Sequence, residues 1–263
     1  MNHPIPVLLY HRIEDSSAST ATSPHVFRQQ LASLKENGWK SLSAQEFAHT
    51  MKNGGPVRER SFLITFDDGY ETVRTVALDI LRDLDFKAIS FLSTNLLRDP
   101  DITQEPLPEG ERRDAYLSWD QARELQASGI VDCQSHSHGH QNFTGYSLDE
   151  IRQDLITSID LLSTKLGLPR SHFSHLAWPW GLSRKEWRDI ASDVGLSYQY
   201  MVGKQSARVS SPLDQIPRTC FDATNFTQFR RQVWLQTGRL SQAWDFAYPL
   251  GRLLRNLAST ARG

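Results

Sequence analysis

The stretch FLITFDDGY at residues 62–70 places two aspartates and a glycine directly after a run of apolar residues. The apolar run is typical of a buried strand, and alternation along that strand would send Asp67 and Asp68 to opposite faces. Two adjacent carboxylates also repel each other and resist removal from water. The pattern is explained if the strand ends here, Gly69 turns the chain, and a cation lies nearby.

Short apolar runs alternate with helical patterns along the rest of the chain. Strands are predicted at Val7–Tyr10, Phe62–Phe66, Ala88–Leu92, Ile130–Gln134, Leu176–Trp178 and Tyr198–Val202. Helices are predicted at Pro24–Asn37, Glu71–Leu84, Trp119–Ala127 with Ser118 as its cap, Ser147–Leu166 and Ser183–Val194. This alternation favours an α/β fold with parallel strands and outer helices. A chain of 263 residues is long enough for one such barrel.

The composition argues against nucleic-acid-binding, disulfide-rich and membrane-spanning classes of protein. The formal net charge of −1 gives no indication of a nucleic-acid partner. The two cysteines, Cys133 and Cys220, form no CxxC pair, so we expect neither a disulfide framework nor a thiolate metal site. The N-terminal apolar run is too short for a signal sequence, and no stretch approaches the roughly 20 apolar residues of a membrane span. We therefore expect a soluble, cytoplasmic protein.

Histidines follow another predicted strand, in the sequence SHSHGH at residues 135–140. The carboxyl ends of parallel strands in a barrel converge on one face, so these histidines should approach the aspartate pair. His136 and His140 are four residues apart and can reach one ion, although a histidine-rich loop that binds nothing is an equal alternative for this motif alone. Two imidazoles and the Asp68 carboxylate together suit a catalytic divalent ion, with His138 pointing elsewhere. Asp67 would then be free to act as a general base.

These motifs resemble the polysaccharide deacetylase family, the NodB-homology or carbohydrate esterase 4 group. TFDDGY is similar to its first motif, and HSxxH at 136–140 is similar to its second. The segments VLLYHRI, AWPWG and IPR are most similar to the branch of the poly-N-acetylglucosamine deacetylases. The resemblance implies a distorted (β/α) barrel with fewer than eight strands. It also implies metal-dependent removal of N-acetyl or, as an alternative, O-acetyl groups from sugars.

The resemblance also implies residue roles. Asp67 would be the base, and Asp68, His136 and His140 would bind the metal, with zinc expected and nickel or cobalt as alternatives. A backbone N–H near Trp180 would help the metal to stabilise the oxyanion.

Two departures from the family motifs concern the base and the acid. The family arginine that steadies the base is matched here by Ala177, and Arg218 would replace it unless Arg218 makes only a structural ion pair. No histidine follows His175 to match the late family acid. His11 would replace that acid unless it is a structural histidine.

Aromatic residues near the motifs are expected to contact substrate. Trp178 and Trp180 would form an apolar wall for the acetyl methyl or a sugar face, or would belong to the core, and Tyr70 would also bind substrate. The preferred function is deacetylation of an amino sugar in a polysaccharide or a lipid-linked precursor. The alternatives are hydrolysis of another amide, such as a cyclic imide or formamide, and carbohydrate binding without catalysis.

The C-terminal tail, residues 239–263, lies beyond the catalytic domain expected at 1–238. Four leucines fall on one face of a predicted helix, at Leu250, Leu253, Leu254 and Leu257. Arginines and aromatic residues flank this stripe. The tail would pack on the barrel or on another subunit, or would make a weak, salt-sensitive contact with an anionic membrane.

Overall fold

The computed structural model describes residues 3–54, 60–99, 107, 112–209 and 211–248. The strands in this part of the chain are β1 Val7–Tyr10, β2 Arg12–Ile13, β3 Ala21–Thr22, β4 Lys40–Ser41, β5 Ser61–Phe66, β6 Ala88–Leu92, β7 Val131–Ser135, β8 His175–Ala177, β9 Tyr198–Val202 and β10 Ile216–Cys220. Seven parallel strands close in the order β1-β10-β9-β8-β7-β6-β5, because β5 also pairs with β1. The predicted (β/α) barrel with fewer than eight strands is confirmed.

Helices pack around the closed sheet. Their bounds are α1 Pro24–Glu36, α2 Ala44–Asn53, α3 Leu78–Leu84, α4 Trp119–Ala127, α5 Leu148–Leu166, α6 Lys185–Asp193 and α7 Phe226–Thr237. Ser118 caps α4 as predicted, since its hydroxyl accepts a hydrogen bond from the backbone N–H of Gln121 and the Gln121 side-chain oxygen accepts one from the backbone N–H of Ser118. The predicted helix at Glu71–Leu84 begins instead with a π-helical turn at Val73–Ala77.

Strands β1, β5 and β6 are mostly apolar because both of their faces are buried. Along β5, alternate side chains enter two separate clusters. Phe62 and Ile64 belong to the cluster shared with the outer helices. Leu63 belongs to a cluster that includes Phe91 of β6 and Phe47 of α2. The apolar run that predicts β5 therefore reflects a strand that contributes to two cores.

The first residues of the tail contact the barrel. Residues 241–248 are helical. The indole N–H of Trp244 donates to the Lys204 carbonyl at 2.7 Å, and the Asp245 carboxylate accepts from Arg208 at 2.8 Å. The predicted leucine stripe lies outside the described residues, so its packing or membrane role stays a prediction. None of the described helices combines the length and the apolarity needed to cross a bilayer.

Candidate metal centre and catalytic site

The two aspartates lie at the barrel mouth, the face on which the carboxyl ends of the strands meet. The backbone of Asp67 still donates to the carbonyl of Tyr10, at 3.0 Å, so the sheet pairing extends one residue past β5. Asp68 and Gly69 then take the left-handed backbone conformation, with φ of 73° and 87°. A Cβ at Gly69 would come within 3.0 Å of Leu97, so this turn requires glycine.

The histidine loop follows β7 and is held by its own hydrogen bonds. The carboxylate of Asp154 accepts from the backbone N–H groups of His138 and Gly139, both at 2.8 Å. His140 has a φ of 53°, a left-handed conformation that is uncommon for a residue with a side chain. Nδ1 of His136 bonds the carbonyl of Ala177 at 2.7 Å, which orients the ring and directs Nε2 into the mouth.

Three donor atoms converge at this point. Oδ1 of Asp68 lies 3.2 Å from Nε2 of His136 and 3.1 Å from Nε2 of His140. The His138 ring does not join these donors, since its Nδ1 is hydrogen-bonded to the hydroxyl of Thr94 at 2.8 Å. The strand ends thus bring together the three residues that the sequence proposed as ligands.

The Asp68 carboxylate provides a direct test of whether a cation fits. Its Oδ1 is buried and, within the described part of the chain, meets the geometry of a hydrogen bond with no group, although both imidazole nitrogens lie close to it. Burial alone raises the pKa of Asp68, but the facing His136 and His140 rings hold it well below its usual range. A buried, ionised oxygen without a hydrogen bond is costly unless a cation compensates it. Two imidazoles and a carboxylate with an open fourth position fit a divalent ion such as zinc.

Asp67 is held by Arg218 of β10. The guanidinium donates from Nη1 to Oδ1 at 2.6 Å and from Nη2 to Oδ2 at 2.7 Å, and Arg218 is 0% exposed. Burial raises the pKa of the Asp67 carboxyl, but the charges of Arg218 and His136 and the Arg218 hydrogen bonds together outweigh it and keep the pKa below its usual value. Oδ2 of Asp67 also lies 3.8 Å from Nε2 of His136. Asp67 is therefore a fixed, ionised carboxylate beside the three converging donors.

His11 follows β1 and pairs with a carboxylate that the sequence did not indicate. Its Nδ1 lies 2.5 Å from Oδ2 of Asp222, and its backbone N–H donates to Oδ1 at 3.2 Å. Burial lowers the pKa of His11, but the hydrogen bond to Asp222 and the negative charge of Asp68 raise it well above its ordinary value. His11 is consequently an imidazolium near neutral pH, and its charge also lowers the pKa of both Asp67 and Asp68.

Two of the three predicted substrate contacts, Trp178 and Tyr70, are buried in this structure. Trp178 is 0% exposed and packs among the core aromatics, while its N–H donates to Gln199 at 3.0 Å. Tyr70 is buried, stacks on Tyr116 and accepts from Arg12 at 2.7 Å. Trp178 therefore offers no surface to a substrate, whereas Tyr70 lines a surface cavity of about 440 Å³ with Arg12 and Arg112, so its substrate contact stays a prediction.

Trp180, the third predicted contact, lies at the mouth. It is 65% exposed, and its ring centroid is 5.7 Å from that of His140. Its φ of 60° turns the chain after β8, and Gly181 follows with a φ of 64°. A Cβ at Gly181 would come within 2.7 Å of Val202, so this reversal again needs glycine.

Asp154 and Asp222 are the supporting residues that sequence reasoning missed. Asp154 lies within α5, where it has the appearance of an ordinary exposed acidic residue. Asp222 follows β10 just as Asp67 follows β5, so the strand-end argument would have found it had β10 been predicted. The sequence of β10, IPRTC, has no apolar run and contains Pro217, which conceals the strand.

The chain belongs to the polysaccharide deacetylase family, whose model matches residues 54–199. Among curated proteins it is similar to the poly-β-1,6-N-acetyl-D-glucosamine N-deacetylase of Escherichia coli K12, with 25% identity over 85% of this chain. The chain spans only 38% of the length of that relative. The protein of the same name from Staphylococcus aureus is 23% identical over 75% of this chain and 67% of its own length.

Solved structures share the fold. A de-N-acetylase from Aggregatibacter actinomycetemcomitans superposes with a TM-score of 0.75 and 21% identity, over 87% of this chain and 99% of its own. The structure named IcaB from Ammonifex degensii gives a TM-score of 0.74 and 22% identity, over 89% and 98% of the two chains. At these low identities, the two structural matches support the barrel fold of this chain but not the roles of its site residues.

Proposed function

We propose that this protein is a metal-dependent deacetylase that hydrolyses the N-acetyl group of an amino sugar within a glycan. The observation that carries the proposal is the buried Oδ1 of Asp68, which faces two imidazole nitrogens and lacks a hydrogen bond. Membership of the polysaccharide deacetylase family and the names of the curated relatives support the substrate class.

Asp68, His136 and His140 would hold the divalent ion. When bound, such an ion supplies Lewis acidity, polarising an acetyl carbonyl and lowering the pKa of a water molecule. Zinc suits this nitrogen and oxygen donor set, and nickel or cobalt are the alternatives. The carbonyl of Ala177 orients His136 so that its Nε2 remains available as a ligand.

Asp67 accepts the proton of the attacking water. Its carboxylate is ionised at neutral pH and fixed by two Arg218 hydrogen bonds, which leave a second lone pair on each oxygen. The water oxygen forms the new bond to the acetyl carbon, and the carbon–nitrogen bond then breaks. The products are acetate and a free sugar amine.

His11 donates the proton that the leaving nitrogen requires. Its Nδ1 is engaged by Asp222, so Nε2 is the nitrogen left for the substrate. The raised pKa of His11 keeps it protonated near neutral pH, as an acid needs to be. Trp180, exposed beside His140, is placed to contact the sugar or the acetyl methyl.

The function is tested by measuring acetate and free amine released from acetylated glycans. The panel includes β-1,6-linked N-acetylglucosamine oligosaccharides, other N- and O-acetylated glycans and lipid-linked acetamido sugars. Metal-depleted enzyme, metal-restored enzyme and Asp67→Asn are compared. We expect acetate and an equal amount of amine from an N-acetylated sugar, only with metal and with Asp67 intact.

Three other outcomes would replace this proposal. Acetate without a new amine would indicate an O-acetyl esterase. Formate or ring-opened products from a matching amide panel would indicate hydrolysis of another amide, and sugar binding without turnover would indicate a binding protein. A cytoplasmic location and a membrane contact through the tail stay predictions that fractionation would test.

A further inference from the structure

A second group of metal-ligating side chains lies at the ends of β1 and β10. Nδ1 of His11 is 2.5 Å from Oδ2 of Asp222, and Sγ of Cys220 is 3.3 Å from the same oxygen. One donor atom from each of the three residues lies within 4.8 Å of the others. The amino-acid sequence predicts no thiolate metal site, because His11 is more than 200 residues from Cys220 and Asp222 and only the closed barrel brings them together.

Solvent reaches this cluster through Cys220. The residue is exposed and lines a surface cavity of about 430 Å³, together with Lys204, Gln228 and Trp244. The other cysteine, Cys133, is buried, and burial raises the pKa of its thiol. Cys220 is therefore the thiol that an incoming ion can meet, and Cys133 provides an internal comparison.

The donor spacing suits a tetrahedral ion after a small adjustment. Metal–ligand bonds of about 2.0–2.3 Å place neighbouring tetrahedral donors about 3.3–3.6 Å apart. The separation of Cys220 Sγ from Asp222 Oδ2 already has this value. The His11–Asp222 contact is shorter than this, at 2.5 Å, so an ion that displaces the proton between these two atoms would push them apart.

We propose that His11, Cys220 and Asp222 form a second metal site, specific for a thiophilic divalent ion such as Zn²⁺ or Cd²⁺, and that its occupation inhibits the enzyme. Binding forms three metal–ligand bonds and releases two protons, one from the thiol and one shared by His11 and Asp222. The inhibitory part of this inference depends on the proposed function, because a metal ion in place of the Nδ1 proton leaves a neutral imidazole, which is a much weaker acid at Nε2 than the imidazolium that protonates the leaving nitrogen. The binding part does not depend on any activity.

Thiolate absorption distinguishes the two sites. Asp68, His136 and His140 contain no sulfur, so a cadmium–thiolate charge-transfer band reports only the second site. The full chain, first loaded with zinc, is titrated with Cd²⁺. We expect the band in the wild type and in Cys133→Ala, with one additional ion bound per chain, and its loss in Cys220→Ala.

Ligand removal should also weaken the second ion by more than about 100-fold, since even outer-shell changes cost 10–100-fold in metal affinity. The absence of a band in the wild type, or a band that persists in Cys220→Ala and disappears in Cys133→Ala, would overturn the proposed site.

The inhibitory part is tested by acetate release in the presence of excess Zn²⁺. Each variant is compared with its own rate at one equivalent of zinc, so that any change in basal rate cancels. We expect excess zinc to inhibit the wild type and Cys133→Ala at concentrations that leave Cys220→Ala active. Equal inhibition of all three would refute the inhibitory role, whereas absence of acetate release with an intact band would refute the deacetylase and leave the metal site standing.

Discussion

Two groups of three donor side chains lie at the same barrel mouth, and they differ in whether their carboxylate already has a hydrogen-bond partner. In the first, Oδ1 of Asp68 is buried without a hydrogen bond, although two imidazoles face it at 3.1–3.2 Å. In the second, Nδ1 of His11 and Oδ2 of Asp222 are already paired at a distance of 2.5 Å. The first group is arranged for a cation, whereas the second holds a proton that an incoming ion would have to displace. Residue type alone therefore does not distinguish a metal site from an acid–base pair.

Removing a ligand from the first group should have the largest effect. His136→Ala should weaken metal binding by more than about 100-fold and reduce acetate release to background, because it deletes one of three ligands. His138→Ala is the matched control, since His138 lies in the same loop but contacts Thr94. Metal analysis and turnover of both variants test this. If His136→Ala retained its metal and His138→Ala lost it, the ligand assignment would be wrong.

His11→Ala should have the next largest effect, a decrease in turnover on the order of 10²–10⁴-fold with the metal retained. The pKa of His11 is raised by Asp222, so wild-type activity should persist through neutral pH and decline as pH rises through that pKa. The variant should lose this decline. An unchanged rate with an unchanged alkaline limb in the pH–rate profile would exclude His11 as the acid.

Arg218→Lys should have a smaller effect that acts through Asp67. Lysine keeps the positive charge but cannot reproduce the two parallel hydrogen bonds. Loss of one bond to a charged group, worth about 1.5–3 kcal/mol, corresponds to about 10–100-fold in turnover. Metal content should not change. Wild-type turnover would show that Arg218 has only a structural role.

The smallest effect concerns the stability contributed by His175, whose ring contacts two tyrosines. His175 is buried between Tyr198 and Tyr200 and hydrogen-bonds the Tyr200 hydroxyl at 2.8 Å. Burial lowers the pKa of His175 to about 4. The buried neutral ring therefore stabilises the fold fully above pH 6.5, and this stabilisation is lost as pH falls toward 4, because the unfolded chain takes up the proton first. The loss is about 3 kcal/mol at most.

The free energy of unfolding, measured with denaturant between pH 7 and pH 4, tests this contribution of His175. The wild type should lose more stability over this range than His175→Gln, which cannot take up the proton at that position. Identical losses would mean that His175 does not titrate with folding.

The sequence predicted the features that depend on local pattern. Apolar runs predicted the strands that bury both faces, and Ser118 was recognised as a cap. The strand-end argument also placed Asp68, His136 and His140 together correctly. Pairings between distant residues were harder to predict, since Asp222 and His11 are separated by 211 positions and meet only because β1 pairs with β10.

The two tryptophans after β8 illustrate the limit of strand periodicity. The strand ends at Ala177, one residue before the predicted end, so Trp178 enters the core. Trp180 leaves the core because the chain reverses with a φ of 60° at that residue. Alternation predicts facing directions only within a strand, and the backbone reversal that separates these two residues has no periodic signature.

The central claim is that adjacent aspartates have different tasks, with Asp68 binding the ion and Asp67 accepting the proton. Asp67→Asn tests it most directly, because the amide preserves the shape but cannot take the proton. Metal content and acetate release are measured on the same preparation. We predict a full equivalent of metal and a decrease in turnover on the order of 10²–10⁴-fold. Near wild-type turnover at neutral pH, or loss of the metal together with activity, would contradict this division of roles.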